Sequence, residues 1–154
     1  MTEINWKDNL RIAWFGNFLT GASISLVVPF MPIFVENLGV GSDQAAFYAG
    51  LAISVSAISA ALFSPIWGIL ADKYGRKTMM IRAGMAMTIT MGGLAFVTNI
   101  YWLIFLRLLN GVFAGFVPNA TALIASQVPK EKSGSALGTL STGVVAGTLT
   151  GPFI

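Results

Sequence analysis

Arg107 is the only charged residue between Arg82 and Lys130. A charge inside so long an apolar run has to be held by other polar groups or by water. A second concentration of charge is Gly68-Ile-Leu-Ala-Asp72-Lys-Tyr-Gly75-Arg76-Lys77, which follows an uncharged stretch from Gln44 to Ala71. These residues can place charge and exchange protons, but they offer little for making or breaking bonds. The chain has no His, no Cys and no acid pair, so disulfides, thiol chemistry, the usual transition-metal sites and acid–base catalysis have no residues to carry them. Neither an enzyme nor a bound metal or cofactor is expected.

The composition points to lipid as the surrounding medium. Hydrophobic residues make up 55% and charged residues only 10%, against about 25% charged in soluble domains; mean hydropathy is +0.77. The basic pI could suggest nucleic acid, but the bases lie in short segments between apolar runs and form no single patch. No nucleic-acid partner is expected.

Elements that hold these charges follow from length, since about 20 helical residues cross the hydrocarbon core. Residues 12–35 form a first span, with Pro29 and Pro32 bending its far end. It is longer than the roughly 7–15 apolar residues of a secretory signal and is followed by Glu36-Asn37-Leu38-Gly39 rather than a small-residue cleavage site. Further spans are expected over 46–71, 78–97, 101–126 and 135–154, with a break at Thr98-Asn99 ahead of the interfacial pair Tyr101 and Trp102. Lys7, Arg11, Lys73, Arg76, Lys77, Arg82, Lys130 and Lys132 then fall on one side, with no base in the opposite turns. The positive-inside rule makes that side, and the N-terminus, cytoplasmic in a multi-pass plasma-membrane protein.

Asp72 departs from the local rules. It ends the second span, where the helix dipole is negative, while Arg76 and Lys77 open the third span at a positive end. Either the neighbouring bases screen Asp72, or another helix supplies a positive end or a donor.

This stretch resembles the loop signature of the major facilitator superfamily, G-x-L-a-D-r-x-G-r-k, at Gly68, Leu70, Asp72, Gly75, Arg76 and Lys77. Leu103-Ile-Phe-Leu-Arg107-Leu-Leu-Asn110-Gly111 resembles the fourth-helix motif with its intramembrane arginine. Gly143, Gly147 and Gly151-Pro152 resemble the fifth-helix motif of antiporters, and the first span, with Asn17, Gly21, Pro29 and Pro32, resembles that of twelve-helix drug:proton antiporters of Gram-positive bacteria. The resemblance implies an all-α integral membrane fold, five helices of an N-terminal six-helix half. It implies that residues 68–77 act as a conformational switch and that Arg107 takes part in coupling or substrate binding. It also implies a hydrophobic small-molecule substrate, a proton as coupling ion, and a missing C-terminal half as partner. Because the other spans hold no Asp or Glu, proton exchange would fall to Asp72 or to residues outside this chain.

Helical periodicity gives each candidate a face. Arg107 shares one with Asn110, Gly111, Ala114, Pro118 and Thr121, small and polar enough to line a watery cavity; snorkelling to the outer headgroups is the alternative. Gly50, Ser54, Ala57, Ala61, Ser64 and Gly68 form a small-residue stripe, for packing within this half or against the absent one. Gly143, Gly147 and Gly151 form another, a generic contact or an antiporter device. Asn17, Thr20 and Ser25 are candidates to line a cavity, Trp67 and Trp102 are expected in the aromatic belt, and Phe18, Phe30 and Phe116 are candidates for stacking on drugs.

A secondary transporter exporting drugs fits these residues best. A sugar or metabolite transporter of the same superfamily is the first alternative, and a non-transporting membrane assembly or modulator protein the second. Residues 1–154 alone are expected to insert without transporting, with both small-residue stripes open to lipid, to each other or to another copy.

Overall fold

A computed structural model describes residues 5–153, and the last position of the expected 135–154 span, Ile154, lies outside them. Among the described residues there are six α-helices and no strand: α1 (Trp6–Asn37), α2 (Ser42–Tyr74), α3 (Arg76–Gly93), α4 (Ile100–Val112), α5 (Phe116–Gln127) and α6 (Lys130–Thr150). Four stretches are long and apolar enough to cross a membrane: Trp6–Asn37, Ser42–Tyr74, Arg76–Phe96 and Ile100–Gln127. Ile89, Ile69, Leu62 and Ile12 point outward from them, which suits lipid rather than water. Helix α6 has 21 residues, long enough to cross at about 1.5 Å per residue, but Gly, Ser and Thr lower its apolar content.

The joints are short and chemically specific. Gly75 alone separates α2 from α3, at φ 92° and ψ 137°, a left-handed region that side chains disfavour. Asp72 therefore sits in the last turn of α2 and Arg76 opens α3, with no loop of several residues between them. The Asn99 side chain accepts a hydrogen bond from the Trp102 amide at 3.0 Å and caps α4. Pro129 precedes α6, so Lys130, Glu131 and Lys132, expected in a loop, form its first turn.

One expected span is broken. Helix α4 stops at Val112 and α5 begins at Phe116, with Gly115 between them at φ 129°. Pro118 adds to the break, because it has no N–H to return to the Ala114 carbonyl.

The chain divides into two compact units, one holding α1 up to Val27 together with everything from Phe116, the other Val28–Gly115. In the first, α6 lies along α1 through glycine. A methyl group at Gly143 would sit 2.6 Å from the Trp14 carbonyl oxygen, and one at Gly151 2.6 Å from that of Ala22. At Gly147 it would collide with the Phe18 carbonyl. Steps of four on α6 meet steps of four on α1. This corrects the expectation that the Gly143–Gly151 face lies open, since α1 covers it.

In the second unit α2 packs on α4 and α3. The buried face of α2 carries Ala45, Ala49, Ala52, Ser59 and Ala71, while the expected stripe, Gly50, Ser54, Ala57, Ala61, Ser64 and Gly68, is exposed along its whole length. Among the described residues, nothing beyond the adjoining backbone of α2 itself and the immediate chain neighbours lies within 4 Å of where a methyl group at Gly50 or Gly68 would stand. Packing within this unit thus uses a different face of α2.

Candidate functional site

Arg107 lies on the buried face of α4, between Leu103 and Gly111, and is only 7% exposed. Most of the side chain is covered by its neighbours rather than extended over the surface of the helix. Among the described residues its Nε and Nη2 are buried without hydrogen-bond partners, and no carboxylate pairs with it. Buried guanidinium nitrogens left unpaired are costly.

Helix α2 fixes the backbone around this arginine. Ser56 Oγ donates to the Arg107 carbonyl at 2.6 Å, and Ser59 Oγ lies 3.2 Å from the Leu108 carbonyl. Gly111 is pressed against Ser56 and Ser59, where a Cβ would clash with the Ser56 carbonyl. Small residues at these positions let the two backbones approach closely. Asn110, grouped with Arg107 by sequence, donates through Nδ2 to Thr90 Oγ1 at 2.9 Å, and so ties α4 to α3. Of the wider face expected around Arg107, Asn110 and Gly111 lie on α4, Ala114 follows its end, and Pro118 and Thr121 belong to α5.

At the junction of α2 and α3, Arg76 Nη2 donates to Asp72 Oδ1 at 2.9 Å. The Asp72 side chain is 69% exposed, so the pair contributes little to stability. Of the two expected explanations for Asp72, the neighbouring base is the one present in this chain. Gly68, one turn earlier, is exposed, and so is Lys77.

Asn17 belongs to the other unit and is 1% exposed. Its Nδ2 donates to the Leu140 carbonyl at 3.3 Å, while Oδ1 is buried without a partner among the described residues. It thus joins α1 to α6 beside the glycine contacts. Of its neighbours, Thr20 bonds back to the Gly16 carbonyl and Ser25 donates to the Thr148 carbonyl at 2.6 Å.

Sequence reasoning missed two residues, Arg82 and Trp67. Arg82 was counted among the loop bases, yet it lies inside α3, with its guanidinium 3.5 Å from the centre of the Trp67 ring. The Trp67 indole, expected in the aromatic belt, donates from Nε1 to the Val112 carbonyl at 2.6 Å. Pro118 three residues past Gly115 was the available signal. It announces free carbonyls at the end of α4 that need donors from elsewhere.

The family described as Major Facilitator Superfamily matches residues 13–154. The chain is 97% identical over 154 residues to the multi-drug resistance efflux pump PmrA of Streptococcus pneumoniae serotype 4, a match covering 100% of this chain and 39% of that protein. It is 56% identical over 149 residues to the PmrA homolog of Lactococcus lactis subsp. lactis, covering 97% of this chain and 37% of the relative. It is 53% identical over 152 residues to the multidrug resistance protein MdtG of Escherichia coli O1:K1, covering 98% and 37%. The chain therefore spans well under half the length of these relatives.

Proposed function

The chain belongs to the major facilitator superfamily, and on that premise we propose that it forms part of a secondary transporter that exports hydrophobic drugs in exchange for protons. The observation that carries this reading is Arg107, a buried arginine within an apolar helix whose Nε and Nη2 have no hydrogen-bond partner among the described residues. Such a residue costs too much to serve lipid contact or simple packing, and inside a membrane it marks a substrate or ion pathway. The printed names of the relatives, multi-drug efflux and multidrug resistance proteins, favour drugs over sugars.

In this reading Arg107 attracts the carboxylate or substrate group that changes partner during the cycle, with Asn110 holding α4 on α3 behind it. Asp72, Gly75, Arg76 and Lys77 form the switch between α2 and α3, and the exposed stripe from Gly50 to Gly68 slides against the second half of the transporter. Alternating access then rocks one half against the other about a midplane site. Helix α6 serves as the fifth span, and the N-terminus lies in the cytoplasm on the count of bases. Single cysteines at Ser42 and Ser133 should accordingly label from opposite sides of intact cells.

The test is a chimaera in which this chain replaces the 154 matching residues of the S. pneumoniae pump. Cells making it should expel ethidium faster than cells with an empty vector, and an uncoupler should abolish the difference. Efflux equal to the empty vector would reject the transporter reading for this chain. Efflux that survives the uncoupler would reject proton coupling.

A further inference from the structure

We infer that Arg82, backed by Trp67, is a positioning residue that clamps the carbonyl end of α4 and thereby sets the placement of Arg107. In an unbroken helix the carbonyls of Val112, Phe113 and Ala114 would accept from the amides four residues on. Gly115 at φ 129° turns the chain away, and Pro118 has no amide hydrogen to give. Carbonyls freed in this way at membrane depth need donors from neighbouring elements.

Two side chains supply them. Trp67 Nε1 donates to the Val112 carbonyl at 2.6 Å, and Arg82 Nη2 reaches those of Phe113 and Ala114 at 3.2 and 3.5 Å. The guanidinium lies over Trp67 at 3.5 Å and near Phe113 at 5.9 Å from the ring centres, while the two rings are 6.0 Å apart. A cation at this end of α4 also meets the negative pole of its dipole. The remaining Arg82 donors, Nε and Nη1, are buried without hydrogen-bond partners among the described residues. The aromatic stack and the helix end thus hold the cation, with no carboxylate bound to it among the described residues.

The clamp is close enough to matter for Arg107. Val112 stands five positions after it, about 7.5 Å along the helix, and the Arg107 carbonyl is itself held by Ser56. Helix α4 is thus fixed to its neighbours at Arg107 and at its end, and cannot turn without releasing Trp67 and Arg82. The consequence for transport rests on the function proposed above, whereas the clamp itself does not.

The experiment has two arms. The first uses this chain in lipid vesicles with Trp67 as its only tryptophan, Trp6, Trp14 and Trp102 being replaced by Phe. Arg82→Gln should move the Trp67 emission, and Arg82→Lys should move it less. Unchanged emission in the Gln variant would overturn the clamp. The second arm measures ethidium efflux by the chimaera at equal protein in the membrane. Arg82→Gln should lower the maximal rate about tenfold with KM within about twofold, the pattern of a lost cycle step rather than lost substrate binding. Arg82→Lys should recover part of that rate, since a lysine keeps the charge but neither the planar stack nor the fork. A wild-type rate in the Gln variant, or a raised KM at unchanged maximal rate, would overturn the positioning role. If Arg82→Gln fails to reach the membrane, Trp67→Phe replaces it, keeping a ring for the cation and deleting only the donor to Val112; an unchanged maximal rate there would count equally against the clamp. An unsubstituted chimaera that moves no ethidium would reject the function proposed above, while the emission arm would still decide the clamp.

Discussion

Helices α1 and α6 meet chiefly through a row of three glycines, whereas α2 and α4 meet through one glycine, Gly111, and hydrogen bonds aimed at backbone carbonyls. In the first pair Gly143, Gly147 and Gly151 lie against the carbonyls of Trp14, Phe18 and Ala22. Asn17 and Ser25 add hydrogen bonds to the Leu140 and Thr148 carbonyls, but any atom added at the three glycines opposes this register. In the second pair Ser56 and Trp67 donate to the carbonyls of Arg107 and Val112. Each such bond inside a membrane contributes on average only about 0.6 kcal/mol, so bonds of this kind can be exchanged one at a time. The difference teaches where to look for motion. The glycine contact suits a fixed support, and the hydrogen-bonded contact, which also carries Arg107, suits an element that shifts.

The sharpest way to break this comparison is Gly147→Leu. With the Phe18 carbonyl and the Ala22 amide already in the way, there is no flexible neighbour to yield, and the strain should reach or exceed the 1–3 kcal/mol, roughly, of ordinary overpacking. Helices α1 and α6 should separate, measured as a longer distance between spin labels on cysteines placed at Trp14 and Thr142, whose side chains meet at 3.0 Å. An unchanged distance would show that the glycine contact does not fix this pair.

Next in size is Asp72→Asn. Its pair with Arg76 is largely exposed, so the stability change should be within about 1 kcal/mol. Ethidium efflux by the chimaera should nevertheless fall markedly while the amount of protein in the membrane stays constant. Equal loss of protein and efflux would make Asp72 a structural residue.

The smallest effect is expected from Ser56→Ala, which removes one interhelical bond worth about 0.6 kcal/mol. Thermal unfolding in detergent should shift only slightly, far less than with Gly147→Leu. A loss as large as that of Gly147→Leu would erase the distinction between a fixed and an exchangeable contact.

Much of this molecule was legible in the sequence because lipid imposes simple rules. Apolar length announced the helices, and the register of glycines, acid and bases announced the family. Asn99 was visible as a break, and it caps α4. Other features were hidden for physical reasons. Helix α2 carries small residues on two faces, Gly50 to Gly68 and Ala45 to Ser59, and periodicity cannot tell which one a neighbour covers. Arg82 looked like one more loop base because its partners, the carbonyls of Phe113 and Ala114, exist only once α4 is broken. The polar face drawn through Arg107, Pro118 and Thr121 assumed an unbroken helix, whereas a break at Gly115 separates α4 from α5.

The account turns on Arg107 as a working charge rather than a tolerated one. The most direct measurement is ethidium efflux from energised cells making the chimaera with Arg107→Ala or Arg107→Lys at matched membrane levels. Arg107→Ala should abolish efflux, and Arg107→Lys should restore only part of it, because an ammonium keeps the charge but loses the planar fork. Near-normal efflux from both variants would contradict the central claim and leave Arg107 a buried charge without a part in transport.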